Sequence, residues 1–510
     1  MMSENRQYEH IPASEFAFVA DADRLHDKKL ETKPIGYFKD VLIRFSRNKS
    51  SVVAAFIILF LVLYAIFVPI FCETNYSRSL TDTMYLNYGR LPPDWNGLFG
   101  VDGTSKATVN SATYLTYQAL AEETGLNPVL EVYRADYTDP TASQSSTYYD
   151  ILRDNYYTMG MMYLTLTPQQ YEDLQAWQNE TGIQVIYPAI TDSRQSDANI
   201  WYEANRKGVP QLDDEGNFQP IYRTTTPEDT SYHSLRIASD TDPEAPYAYA
   251  RVTGTSEARS YVVRVCKYTY FQYRYGFEPS FVFGTNARGQ DILTRLAAGA
   301  RFSLILAICV SAINLFIGAI YGAIEGYYGG AVDLIMERVS DILNGIPFVV
   351  VTTLFQLHLS KRVGVVPALL FAFVSTGWIG MASRVRMQFY RFKGQEYVLA
   401  ARTLGANDRR LMFKHIFPNA IGTIITSCAL IIPSVINSET SMTYLGIVNL
   451  STFAGTTIGT LLSQGNAAVT TAPHAMLWPS VFLGLLMICF NLFGNGLRDA
   501  FNPTTRGVED

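Results

Sequence analysis

The residues able to do chemistry in this 510-residue chain form three scattered sets, none with the spacing of a catalytic centre. His233 is the only histidine between residues 73 and 278, and no Ser/His/Asp set accompanies it. Asp213, Asp214, Glu215 and Asn217 surround Gly216 and offer oxygen ligands for Ca²⁺. Their spacing is not that of a calcium-binding loop, and a solvated turn is the simpler reading. The five cysteines make no metal-ligand pair such as CxxC, so no metal site is expected. Cys309, Cys428 and Cys489 lie in apolar runs as small hydrophobes, whereas Cys72 and Cys266 either pair or stay as free thiols. No GxxxxGK[ST] occurs, so the chain has no P-loop of its own.

The second set consists of polar groups inside apolar runs: Asn314, Asp341, Asn344, Gln356, Asn437 and Glu439. Such groups are costly in a membrane and mark candidate translocation paths. Asp341 follows Arg338 by three residues on one helical face, which favours an ion pair over a pathway role; Glu439 lies near the outer end of the fifth apolar run and is a candidate for lining the translocation cavity. The third set is the basic hairpin QEYVLAARTLGANDRRLMFKHIFPN, residues 395–419, with Arg402, Arg409, Arg410 and Lys414 between two apolar runs. EYVLAARTL is a helix sequence, Gly405 is suited to end it in the left-handed conformation, and Asn407 is suited to cap a second helix from Asp408. Leu411, Met412 and Ile416 share a face of that second helix. Such a hairpin either docks a protein or lies on the anionic inner leaflet.

These groups must be positioned by a membrane fold, because 48% of residues are hydrophobic and 17% charged. Six apolar runs read as spans: 51–71, 302–324, about 335–357, 364–383, 420–442 and 479–497. The first begins some 50 residues in and has no cleavage site, so it reads as a retained anchor and not a signal peptide. Residues 73–278 carry 15 Lys and Arg against 27 Asp and Glu, while the remainder is near +6. Cations precede the first span and crowd the link between the fourth and fifth. The expected layout is a cytoplasmic segment 1–49, a first helix 50–71, an extracytoplasmic region 72–300, helices two to six over 301–497 with a cytoplasmic loop 384–419, and a cytoplasmic end 498–510.

The middle region holds 24 of the 33 tyrosines and several turn signals, as a soluble domain does. YLTYQALAEETG (114–125) and TPQQYEDLQAWQNETG (167–182) read as helices, each followed by a strand-like run, 128–135 and 183–190. The repeat of helix, ETG and strand suggests two similar α/β units, and YVVRVCKYTYFQYRY (261–275) reads as a β-rich exit. The region reads as a recognition or docking surface.

Three motifs carry a family resemblance. FGTNARGQDILTRLAAGARFSL (283–304) is similar to FGTDxxGRDxxSRxxxGxRxSL, EYVLAARTLGANDRRLMFKHIFPN (396–419) to the EAA loop, and FNLFGNGLRDAFNP (490–503) to NLLGDGLRDxLDP. The chain resembles the "C"-type permease subunits of dipeptide and oligopeptide ABC importers. LPPDWNGLFGVDG (91–103) resembles the family's lead-in phrase and PSFVFGTNARGQD (279–291) repeats it, so an α/β domain is expected to be inserted at about 104–278.

The resemblance implies a polytopic α-helical protein with the six-helix core of a type I ABC importer permease, and no catalytic role or cofactor of its own. ATP and Mg²⁺ would be bound by two cytoplasmic ATPase subunits. The other implied partners are a homologous second permease, an extracytoplasmic binding lipoprotein, the peptide and the bilayer, with no nucleic acid. Ala400, Ala401, Gly405, Ala406, Asn407, Asp408, Arg409, Arg410, Leu411 and Pro418 would form the ATPase-coupling site. Leu399 departs from the family by standing where the EAA pattern has its Glu, as do His415 and Phe417 in place of Ile and Leu. Alternatives are import of another small solute, such as a metal chelate, or an anchored extracytoplasmic sensor.

Overall fold

The computed structural model describes residues 36–71, 82–138, 147–187, 198–199, 212–218, 233–236, 249–255, 259–450 and 455–501. The described residues begin with helices α1, Tyr37–Arg47, and α2, Lys49–Phe71. An α/β body follows. Strands β1 (Thr104–Asn110), β2 (Val129–Thr138) and β3 (Thr147–Asp154) form a sheet of order β1-β3-β2, with helix α3, Ser111–Thr124, between β1 and β2. Strands β4 (Met161–Leu166), β5 (Ile186–Tyr187), β6 (His233–Arg236), β7 (Tyr249–Thr253) and β8 (Ser260–Cys266) form the second sheet, with helix α4, Pro168–Thr181, between β4 and β5. Its order is β4-β8-β7-β6, and β5 also pairs with β8.

The two helix–ETG–strand runs do make similar units. Each helix is N-capped by a side chain, Asn110 or Thr167, and ends at a left-handed glycine, Gly125 at φ 70° or Gly182 at φ 72°. The strands before and after each helix flank one antiparallel partner, β3 in the first unit and β8 in the second. Arg264 on β8, fully buried, joins the units by a two-pronged ion pair with Glu123 of α3, the Nη2–Oε2 arm measuring 2.9 Å, and donates to the Ala198 carbonyl. Leu164, Tyr171, Leu174, Ile186, Val263 and Val265 fill the second unit's core.

The exit is not wholly β. The strand stops at Cys266, and Lys267–Tyr275 is helix α5, ended by Gly276 at φ 78°. Aromatic residues suit both states; here Phe271 and Tyr275, four apart, meet at 4.5 Å and Phe271 is fully buried, so tertiary packing decides. Cys266 is a buried free thiol, while Cys72 and residues 188–190 lie outside the described residues. Asp213 Oδ1 accepts from the Glu215 and Asn217 amides, which makes 212–218 a self-contained turn.

The two lead-in phrases lie side by side at the neck of this body. Leu91 and Thr285 exchange hydrogen bonds, Arg90 donates to the Asn286 carbonyl and Asp94 to that of Phe281. Gly100 and Gly284, the glycines of the two FG pairs, share φ 74°. A Cβ on Gly284 would sit 2.5 Å from the Leu91 oxygen, so only glycine allows the approach.

The remaining helices form a bundle: α6, Ile292–Tyr328; α7, Gly330–Asn344; α8, Phe348–His358; α9, Val365–Phe392; α10, Glu396–Thr403; α11, Asp408–Tyr444; α12, Ile458–Ala467; and α13, His474–Phe501. Among the described residues α2, α6, α9, α11 and α13 are long and apolar enough to cross a membrane. The expected third span at about 335–357 is instead two helices broken at Gly345–Pro347. Pro347 lacks the amide needed to continue α7 and restricts the residue before it.

One packing seam follows directly from sequence. Gly318, Gly322 and Gly326 recur every four residues on α6 and lie against α9. A Cβ on Gly322 would meet the Ala382 oxygen at 2.1 Å, and one on Gly326 the Arg386 oxygen at 2.7 Å. Small residues at this spacing let two backbones touch. At the other side Ser51 of α2 donates to the Leu492 carbonyl of α13, where Gly496 leaves it room.

Candidate functional site

The basic hairpin forms as its residues dictate and continues further than its sequence suggests. Helix α10 ends at Thr403, Gly405 takes φ 84°, and the Asn407 side chain accepts from the Arg410 amide to start α11. The second short helix does not stop before the fifth span. It is the first turn of α11, which runs unbroken for 37 residues. Pro418 is accommodated because residues Leu411–Ile416 form a π turn, in which the Phe417 amide reaches the Met412 carbonyl five residues back.

The hairpin has two unlike faces. Val398, Leu411, Met412, Ile416 and Ala420 are buried with Ala319, Ala323, Tyr327, Val385 and Phe389 of α6 and α9. Leu411 is fully buried, so it anchors the hairpin to the bundle and is withdrawn from the set that faces a partner. Ala400, Gly405, Asn407, Asp408, Arg409, Arg410 and Pro418 are exposed, Ala401 and Ala406 half-buried, and Leu404 at the tip is 88% exposed.

Two polar knots fix this surface to the spans. The Tyr327 hydroxyl donates to Asp408 Oδ1 at 2.5 Å and receives Arg402 Nη2 at 3.3 Å. Beside it, Arg386 of α9 makes paired bonds to Asp333, at 2.6 and 2.8 Å, and to Glu337, at 2.8 and 3.2 Å, and Tyr390 also donates to Asp333. Lys393 donates to the Gly326 carbonyl at the end of the glycine seam. These bonds bind α6, the start of α7, α9 and the hairpin together. Sequence reasoning missed Tyr327, Asp333, Glu337 and Arg386. Only the four-residue glycine repeat leading to Tyr327 pointed toward them.

The translocation-path candidates do not gather around one opening. Glu439 is 1% exposed and accepts from Ser303 of α6 at 2.8 Å and from Thr443 at 3.0 Å, which makes it an interhelical tie in place of a cavity wall. Asn314, 2% exposed, extends the seam of Gly318 and packs at Gly377 of α9. The Arg338–Asp341 pair forms at 2.9 Å on an exposed face. Asn344 and Asn437 are exposed, and Gln356 donates to the Val365 carbonyl. His474 is buried and meets the Thr285 carbonyl at 3.0 Å, which ties α13 to the neck of the α/β body.

Residues 314–507 match the family described as the binding-protein-dependent transport system inner membrane component, and residues 36–93 the N-terminal transmembrane domain of oligopeptide transport permease C. The α/β body falls between the two matched segments. The oligopeptide transport system permease protein OppC of Bacillus subtilis is 41% identical over 224 residues, which are 44% of this chain and 72% of that protein. The dipeptide transport system permease protein DppC of the same organism is 36% identical over 225 residues, 44% of this chain and 69% of that protein. A solved inward-facing methionine ABC transporter aligns with 41% of this chain and 96% of its own, at 15% identity and a TM-score of 0.34. With its first-span segment, its hairpin and its last span all inside matched regions, the chain is a multi-pass membrane protein that belongs to the oligopeptide permease C branch of the binding-protein-dependent transport permeases.

Proposed function

We propose that this chain is the permease subunit of an ATP-driven importer of dipeptides or oligopeptides. It forms half of the translocation pathway and pairs with a homologous permease. Two cytoplasmic ATPase subunits dock on the hairpin, and an extracytoplasmic binding lipoprotein delivers the peptide. The likeness to the OppC and DppC proteins supports the substrate class. The core has six crossings, with the broken pair α7 and α8 as the third. Both termini are cytoplasmic and residues 72–300 extracytoplasmic, an orientation supported by the cations around the first span and the hairpin. The α/β body at about 104–278 is an insertion in the first outer loop, supported by the pairing of the two lead-in phrases at its neck.

One observation carries the mechanism: the hairpin's charged face is continuous with a spanning helix. Arg409 and Arg410 lie in the first turn of α11, so a push on them acts on a rod about 55 Å long. The buried Leu411 and Val398 and the Tyr327–Asp408 bond carry the same displacement to α6, and the glycine seam carries it to α9. Closure of an ATPase dimer would then turn these spans as one body between inward- and outward-facing states. The chain supplies no catalysis; ATP and Mg²⁺ are bound by the partner subunits.

The test is uptake of labelled di- and oligopeptides in a strain lacking this chain, restored by the wild type and by variants. Restoration by the wild type and loss in Gly405→Pro, at equal membrane levels, is the expected result. Equal uptake with and without the chain would remove the assignment.

A further inference from the structure

We propose that a cleft of about 510 Å³ between the inner ends of α9, α11 and α13 binds a phosphate oxyanion, supplied by an anionic lipid headgroup of the cytoplasmic leaflet. The proposal rests on the orientation given above, in which this end of the bundle faces the cytoplasm. Arg384 and Arg391, two turns apart on one face of α9, and Arg498 near the end of α13 line the cleft. The opposite face of α9 sets the contrast. There Arg386 is enclosed by Asp333, Glu337 and Glu325. Among the described residues no ion pair engages Arg384, Arg391 or Arg498. The Gln388 side-chain oxygen, also in this lining, is buried without a hydrogen-bond partner among the described residues.

Spacing and lining select the ligand. Arg384 precedes Arg391 by seven residues, about 10 Å further into the bundle along α9. All three guanidinium groups are exposed to the cleft, where an anion would give each a charge-assisted contact, and the planar fork matches two phosphate oxygens. Met387 and Leu430 supply an apolar wall beside the arginines, suited to the first methylenes of an acyl chain. Basic pockets between helices at the cytoplasmic side are suited to anionic headgroups. A soluble phosphate would satisfy the arginines but would leave the apolar wall without a ligand.

The full-length chain, purified with whatever subunits accompany it, is tested by lipid mass spectrometry and by thermal denaturation. The Arg384→Gln, Arg498→Gln double variant should retain about tenfold less phosphatidylglycerol than the wild type, as expected for the loss of two charge-assisted contacts. Arg384→Lys with Arg498→Lys, which keeps the charge but not the two-pronged fork, should restore part of it. After delipidation, phosphatidylglycerol vesicles should raise the thermal midpoint, whereas phosphatidylcholine vesicles should not. Inorganic phosphate should act only at far higher concentration. Equal phosphatidylglycerol retention in the Gln variant overturns the proposal, and so does an equal effect of inorganic phosphate. Unchanged lipid with a raised KM for labelled peptide also overturns it, assigning the cleft to the substrate path. Uptake is read in the same strains, so failure of the transport assignment is seen separately from failure of lipid retention.

Discussion

The Tyr327 hydroxyl and Asp408 Oδ1 lie 2.5 Å apart, joining the C-terminal end of α6 to the first turn of α11 across 81 residues of sequence. From sequence alone Asp408 would offer its charge to a partner. It is instead engaged with Tyr327 and stays exposed, leaving Arg409 and Arg410 as the outward charges of that turn. Tyr327→Phe removes this bridge and the bond received from Arg402 Nη2, and keeps the ring. The expected cost in thermal stability is about 1 kcal/mol, with several-fold lower uptake per ATP hydrolysed. Unchanged coupling in that variant would show that the bond transmits nothing.

Gly405 separates two effects. Its φ of 84° penalises any side chain, yet a Cβ added there would meet no atom within 4 Å. Gly405→Ala should therefore be mildly destabilising, by about 1 kcal/mol, and should transport. Gly405→Pro cannot adopt this φ and should abolish uptake with normal membrane insertion. Equal uptake by the two variants would contradict this.

Leu399 stands where the family pattern has Glu and is 46% exposed on α10. A carboxylate there stays hydrated, so Leu399→Glu should be tolerated in both stability and uptake. A severe coupling defect would mean that this face of α10 is covered in the working complex.

The glycine seam predicts a graded stability series. At Gly322 an added Cβ meets the Ala382 backbone oxygen at 2.1 Å, whereas at Gly484 it meets nothing within 4 Å. Gly322→Ala should lower the thermal midpoint or prevent accumulation of the protein, and Gly484→Ala should leave it nearly unchanged. Equal behaviour of the two would contradict the close approach of α6 and α9.

Asp82 gives the neck of the α/β body a pH signature. Burial pushes its carboxyl upward, but the Met84 amide, the Arg274 guanidinium and the Tyr275 hydroxyl donate to it and hold it below its ordinary value of 3.8. A lowered folded value means that this stability is present above pH 3.8 and is lost as pH falls through the folded value. The thermal-midpoint difference between wild type and Asp82→Asn should be largest at neutral pH and shrink toward zero in acid. A difference independent of pH would refute the ionic contribution.

Local signals were legible and long-range ones were not. The hairpin's turn at Gly405 and cap at Asn407 are decided by adjacent residues, and sequence placed them where the structure has them, whereas α3 starts at Ser111 behind the Asn110 cap, three residues before the expected 114. The break at Gly345–Pro347 was hidden because an apolar run of suitable length masks the proline within it. Helix α5 was hidden because its tyrosines fit a strand equally well until Phe271 finds its aromatic cluster. The roles of Glu439 and Asn314 depended on which helices face them, and polarity inside an apolar run does not say whether a neighbour or a cavity lies opposite. Tyr327, Arg386 and the arginines of the cleft between α9, α11 and α13 became visible only when distant helices met.

The central claim is that the hairpin's outward face docks an ATPase subunit. Leu404, 88% exposed at its tip, is the position from which to test it, by replacing it with a photoreactive amino acid and irradiating intact cells. A crosslink to a nucleotide-binding subunit whose yield changes with ATP is the predicted result. Crosslinking to lipid alone, in cells that still import peptide, would contradict the account.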